Sequence, residues 1–113
     1  MLMARTAADP IFRALADPTR RHVLDVLRDG ARSVTELLAE FRISQPALSR
    51  HLKVLRDARL VVFKRDGRLN LYQLNAEPME AVHDWMQHYQ EFWLGNFRAL
   101  GDVLADEAKK KGD

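Results

Sequence analysis

The chain has 113 residues, 47% hydrophobic and 30% charged, which is one compact domain's worth with a single core. It contains no Cys, which excludes disulfides, thiolate metal sites and cysteine nucleophiles together. The net charge is only +2, yet residues 42–68 carry eight basic residues against two acidic ones, while residues 69–113 carry four against eight. A basic middle on a near-neutral chain suggests a local polyanion-binding face, against the plainer reading of a solvated charged surface.

No apolar run reaches the roughly 18 residues that a membrane-spanning helix needs. The opening "MLMARTAADP" lacks an apolar core of signal-peptide length. A cytoplasmic protein without a membrane partner is the expectation.

Asp9-Pro10 reads as a helix cap followed by proline at the first helical position, and Asp17-Pro18 repeats the signal. The second helix, roughly 18–29, places Val23, Leu24 and Leu27 on one side and ends at Gly30. Ser33 and Glu36 fit a capping box. Val34, Leu37, Leu38 and Phe41 then follow at helical spacing. Only Arg42 and Ile43 separate that helix from the next cap, Ser44, so the two helices meet steeply, as in a helix-turn-helix. Beyond residue 58 the pattern turns β-branched and aromatic. "LVVFKRD" and "RLNLYQL" form a hairpin turning at Asp66-Gly67. Asn75 caps a last helix with Pro78 in its first turn. The fold class is mainly α with a β-hairpin.

On a wheel of about 100° per residue, Leu48, Leu52 and Leu55 of "SQPALSRHLKVL" form a narrow buried seam. Arg50, Lys53 and Pro46 fall opposite, Ser49 at the flank and Gln45 at the start. Such a face fits a recognition helix in the major groove. Gln reads adenine and Arg reads guanine in a bidentate way, while Ser and free backbone N–H groups suit phosphate. The plainer reading is an ordinary solvated face. His51 lies nearer the buried side and reads as a packing histidine. Arg56 and Arg59 read equally as phosphate contacts or solubilising charge. Lys64, Arg65 and Arg68 flank the hairpin tip, within reach of an adjacent minor groove; otherwise they keep an exposed hairpin soluble.

In the last helix Val82, Met86, Tyr89, Trp93, Leu100 and Leu104 share one side, widened by Met79, Trp85, Phe92, Phe97 and Val103. So broad an apolar face needs a cover, and a second copy is the expected one. Gly95 marks a place where that helix can kink.

"FRALADPTRRHVLDVL", "SQPALSRHLKVLRDARLV" and "RDGRLNLYQL" resemble the ArsR family of bacterial winged helix-turn-helix repressors, over about residues 9–94. The resemblance implies a homodimer on an inverted-repeat operator in double-stranded DNA. It places recognition at Ser44, Gln45, Pro46, Ser49, Arg50 and His51, and the wing at 64–68. Many relatives sense metals. Here Leu38 and Glu40 stand where one ligand set has two Cys. His88 and Glu91 keep half of another, and Asn75 and Glu77 replace the rest, so no cofactor or metal is expected.

The expected organisation is a single domain over 1–113: a DNA-binding core and wing at 9–74, a long dimerisation helix at 75–107, and a tail at 108–113. The interface residues are Val82, Trp85, Met86, Tyr89, Trp93, Phe97 and Leu100. The function expected is sequence-specific transcriptional regulation, probing DNA with the face above plus Lys53, under a small-molecule or protein effector if any. Two rivals stay open: a metal-responsive repressor using His88 and Glu91, and a winged-helix module that binds an acidic protein. An enzyme is not expected, because there is no Gly-rich phosphate loop, nucleophile–base pair or complete metal triad.

Overall fold

The computed structural model describes residues 8–112; the side chains of 97–99 and 109–112 lie outside that description. Two compact units divide the chain, 1–82 and 83–113. The first holds α1 (Ala8–Leu15), α2 (Pro18–Arg28), β1 (Arg32–Ser33), α3 (Val34–Leu38), α4 (Gln45–Asp57), β2 (Val61–Asp66) and β3 (Leu69–Leu74). A 3₁₀ turn, Glu77–Met79, leads into α5 (Glu80–Gln87), and α6 runs from Gln90 to Gly112.

Local chemistry sets most of these boundaries. The Asp17 carboxylate accepts from the N–H groups of Thr19 at 2.8 Å and Arg20 at 3.1 Å, and Pro18 follows at N1. Both halves of the Ser33–Glu36 capping box form, at 3.2 and 3.1 Å. The chain is already helical at Ala8, so Asp9 and Pro10 lie inside α1 rather than at its cap. Helix α2 closes on Asp29, and Gly30 follows with φ +146°, a conformation outside the ordinary left-handed well that side chains avoid.

Helix α3 is shorter than its apolar spacing predicts. After Leu38 the N–H groups of Glu40 and Phe41 bond three residues back, to Leu37 and Leu38. The chain tightens, and Phe41 packs on the core from a turn instead of a helix.

The hairpin is part of a three-stranded antiparallel sheet in the order β1-β3-β2. Strand β1 is two residues long, pairing Arg32 with Tyr72 and Ser33 with Leu71. Asp66 pairs with Leu69, so Gly67 and Arg68 form the turn, one residue later than expected. Gly67 has φ +62° and Arg68 does not share that sign, which matches the first-position glycine of a II′ turn.

The core gathers one face from each element: Ile11 and Ala14, Val23, Leu24 and Leu27, Leu37, then Leu48, Leu52 and Leu55, and finally Ala58, Leu60 and Val61. No charged or polar side chain is buried with them among the described residues. Val82 and Met79 lean on this core from the start of α5. Val82, expected in an interface, therefore has a neighbour within its own chain.

Asn75 does not cap the last helix. Its side-chain amide donates to the Arg59 carbonyl at 2.8 Å and its backbone N–H to Leu60 at 2.9 Å, while the 3₁₀ turn starts at Ala76 with no side-chain cap. Nor is the last helix continuous. At its break the N–H groups of His88 and Tyr89 bond to Trp85 and Met86, three residues back. The interruption thus falls at residues 88–89, ahead of Gly95, which sits inside α6. One wheel cannot run through such a break. The helical backbone also continues to Gly112, past the end expected at 107.

Two measurements test these local devices. Arg59 holds φ +63° at the end of α4, a left-handed conformation costly for a side-chain-bearing residue. Arg59→Gly should raise unfolding free energy by about 0.5–1 kcal/mol in urea titrations, the relief of strain exceeding glycine's entropy cost. For Asp17, slight burial pushes the carboxyl up, but the Arg20 and Thr19 N–H groups and the nearby Arg20 guanidinium outweigh it, leaving the group below its ordinary value. A depressed carboxyl stabilises above its unfolded pKa and loses that contribution as pH falls through the folded value. Asp17→Asn keeps the cap, so its urea midpoint should fall less than that of the wild type between about pH 7 and about pH 3.

Candidate nucleic-acid interface

The surface of interest is built on α4. Its seam is buried, with Leu48 and Leu55 at 0% exposure and Leu52 at 1%. Helical spacing then turns Gln45, Pro46, Ser49, Arg50 and Lys53 outward, and all five are exposed. Arg50 has no ion pair among the described residues. Lys53 does: its ammonium lies 3.1 Å from the Asp57 carboxylate one turn on, with both groups well exposed. Exposed pairs of this kind contribute under about 1 kcal/mol, so a phosphate can displace Asp57.

The helix start offers less to an anion than the sequence suggests. Ser44 uses its hydroxyl oxygen to accept from the Ala47 N–H at 3.3 Å, and its carbonyl accepts from Leu48. Pro46 has no N–H. That leaves Gln45 as the first-turn residue whose N–H no capping bond takes. Phosphate recognition at this end therefore falls to side chains more than to backbone.

His51 is half-buried, and its Nδ1 lies 3.3 Å from a guanidinium nitrogen of Arg20 on α2. The sequence places it as a packing histidine; the partner is a side chain, not a backbone group.

The wing is joined to α4 by aromatic contacts. The Arg56 guanidinium stands 5.2 Å from the Phe63 ring centre, and Phe63 meets Tyr72 edge-on at 5.3 Å. Arg56 is thereby a link between helix and sheet, a role that a charge count does not reveal. The register separates the basic residues of the wing. Phe63, Arg65, Asn70 and Tyr72 share one face, because Phe63 pairs with Tyr72 and Arg65 with Asn70. Lys64 pairs with Leu71 on the other face. Lys64 and Arg65 thus cannot line the same side of a groove. Arg68 occupies the turn itself, and Leu69 beside it is 58% exposed.

In the second unit Trp85, Met86, Tyr89, Phe92 and Trp93 are all at least 40% exposed, as are Leu100, Val103 and Leu104 on α6. Trp85 and Tyr89 lie 5.2 Å apart, ring centre to centre. The side chain of Phe97, expected with them, lies outside the described residues. His88 turns its Nδ1 to the Trp85 carbonyl at 3.1 Å. Among the described residues no three His, Asp or Glu side chains gather as a metal-binding group. No described helix is long and apolar enough to cross a membrane.

Residues 17–62 match the model of the bacterial regulatory protein, arsR family. The transcriptional repressor SdpR of Bacillus subtilis (strain 168) is 34% identical over 79 residues, covering 70% of this chain and 88% of that protein. The HTH-type transcriptional regulator Rv2034 of Mycobacterium tuberculosis is 35% identical over 99 residues, covering 88% of this chain and 92% of that one. Among solved structures, an ArsR family transcriptional regulator superposes with a TM-score of 0.69 at 37% identity, covering 77% and 90% of the two chains. A winged helix-turn-helix with its three-stranded sheet, a polar recognition face and relatives that regulate transcription rather than catalyse reactions lead to one assignment: the chain belongs to the ArsR family of DNA-binding transcription regulators.

Proposed function

We propose that this regulator is a repressor that binds a palindromic operator as a homodimer and does not respond to metals. The observation that carries the reading is the division of α4 into a fully buried leucine seam and an outward face of Gln45, Ser49 and Arg50. On this reading Gln45, Ser49 and Arg50 read base edges, with Ser44, Pro46 and His51 around them. Lys53, Arg65 and Arg68 supply salt-sensitive affinity, and Lys64 a more distant phosphate contact.

A single winged helix reaches few base pairs. Two copies related by a twofold place their recognition helices about 34–36 Å apart, one turn of duplex. The exposed apolar side chains of α5 and α6 supply the reason for a second copy: at about 25 cal/mol per Å², leaving Trp85, Met86, Tyr89, Trp93 and Leu100 in water is costly. Repression follows from occupying the operator against polymerase, and the similar SdpR is named a transcriptional repressor.

The metal-independent part rests on donor chemistry. Leu38 cannot ligate a soft metal. Asn75 and Glu77 stand where the resemblance puts an Asp and a His of a ligand set, so one imidazole of the pair is missing. An effector, where there is one, is then a small organic molecule or another protein.

Selection of binding sites from random-sequence DNA tests the reading directly; enrichment of an inverted repeat is expected, and enrichment of nothing would leave the protein-binding module in its place. Arg50→Ala should cost about 1–3 kcal/mol on the selected duplex and relax preference at one base pair. Equal weakening on selected and random duplexes would sink that role. Leu100→Glu should shift sedimentation from dimer to monomer and weaken operator binding by about a hundredfold or more, because the two half-sites no longer act together.

A further inference from the structure

Arg20 sits on α2, away from the outward face of α4, yet its side chain makes three contacts that span α1 and α4. Its Nε donates to the Ala14 carbonyl at 2.7 Å and its Nη2 to the Arg13 carbonyl at 2.8 Å, both at the end of α1. The Arg13 carbonyl also accepts from the Ala16 N–H at 3.2 Å, and a cation there meets the negative end of the helix. A guanidinium is a planar fork, so fixing two of its nitrogens fixes the direction of the third. That third nitrogen, Nη1, lies 3.3 Å from His51 Nδ1 on α4.

A guanidinium has donors and no acceptor. The contact therefore makes Nδ1 the acceptor and puts the imidazole proton on Nε2. His51 lies three residues after Leu48 and four before Leu55, beside the buried seam, and is itself half-buried. Any turn of α4 about its own axis would carry the ring away from a donor that α1 holds still.

We propose that Arg20 is a positioning residue for DNA recognition: braced on the end of α1, it fixes the His51 ring as an Nε2–H donor and with it the rotation of the recognition helix. The role rests on the DNA-binding reading above. Arg20 itself touches no base. It acts through His51, and Lys is a poor substitute because an ammonium cannot make the same three divergent bonds in one plane.

The test uses the full chain and the duplex it selects from random-sequence DNA. Long-range proton–nitrogen spectra of the wild type should show His51 protonated at Nε2 alone. Arg20→Met, similar in length and without donors, should lose that single-tautomer signature and bind the selected duplex about tenfold more weakly. Arg20→Lys should fall between the two, and it decides the matter by the same two readouts if Arg20→Met does not fold. Wild-type spectra with the proton on Nδ1 overturn the proposal. So does a folded variant with a lowered melting temperature but unchanged operator affinity, since that marks a purely structural arginine. A wild-type chain that selects no duplex overturns the DNA-binding reading instead, and the imidazole spectrum still reports directly on the bond.

Discussion

Everything the first unit presents to solvent depends on how α4 is rotated, and the burial of three leucines is the main constraint on that rotation. Leu48, Leu52 and Leu55 are sealed against Val23, Leu24, Leu27 and Leu37 in a core with no buried polar side chain. Burying a leucine contributes about 1.5–3 kcal/mol, so turning the helix to expose the seam is costly on the scale of a small domain's whole stability. The outward direction of Gln45, Ser49 and Arg50 is a consequence of that burial. Recognition chemistry on this chain is thus positioned by apolar packing on the opposite side of the same helix.

The end of α4 extends this control to the wing. Arg59 turns left-handed, and the Leu60 N–H returns to the Leu55 carbonyl at 2.9 Å, the longer-range bond of a Schellman closure. Asn75 then holds both the Arg59 and Leu60 carbonyls from the far end of β3. Arg56 adds a contact from helix to Phe63. The hairpin that carries Arg65 on a strand and Arg68 in its turn therefore leaves α4 at an angle fixed by backbone closure at one end and by an aromatic cluster farther out.

Much of this was legible in the sequence because its signals are local. Asp17-Pro18, Ser33 with Glu36, and Ser44 announce their helix starts within three or four residues, and the leucine spacing of α4 needs no knowledge of what it packs against. What escaped was set by partners distant in the chain. Strand β1 is two residues long and exists only because β3 is there to pair with it. Asn75 looks like a cap, but an acceptor 16 residues earlier claims its amide. Arg20 reads as one charge in a pair of arginines, and His51, 31 residues on, is invisible to any local pattern. The short α3 shows the limit from the other side: Phe41 keeps the helical spacing and the burial, while the backbone beneath it has already left the helix.

Two residues singled out by the family resemblance, Asn75 and His88, make backbone contacts in the fold. Asn75 donates its side-chain amide to the carbonyl of Arg59, whose backbone is left-handed, which ties the position to closing α4. His88 turns one ring nitrogen to its own helix break at Trp85. Helices α5 and α6 expose a large apolar area. If the same area joins two copies, an effector bound there and an operator bound at α4 are linked reciprocally: whatever factor the effector takes from DNA affinity, DNA takes from the effector's.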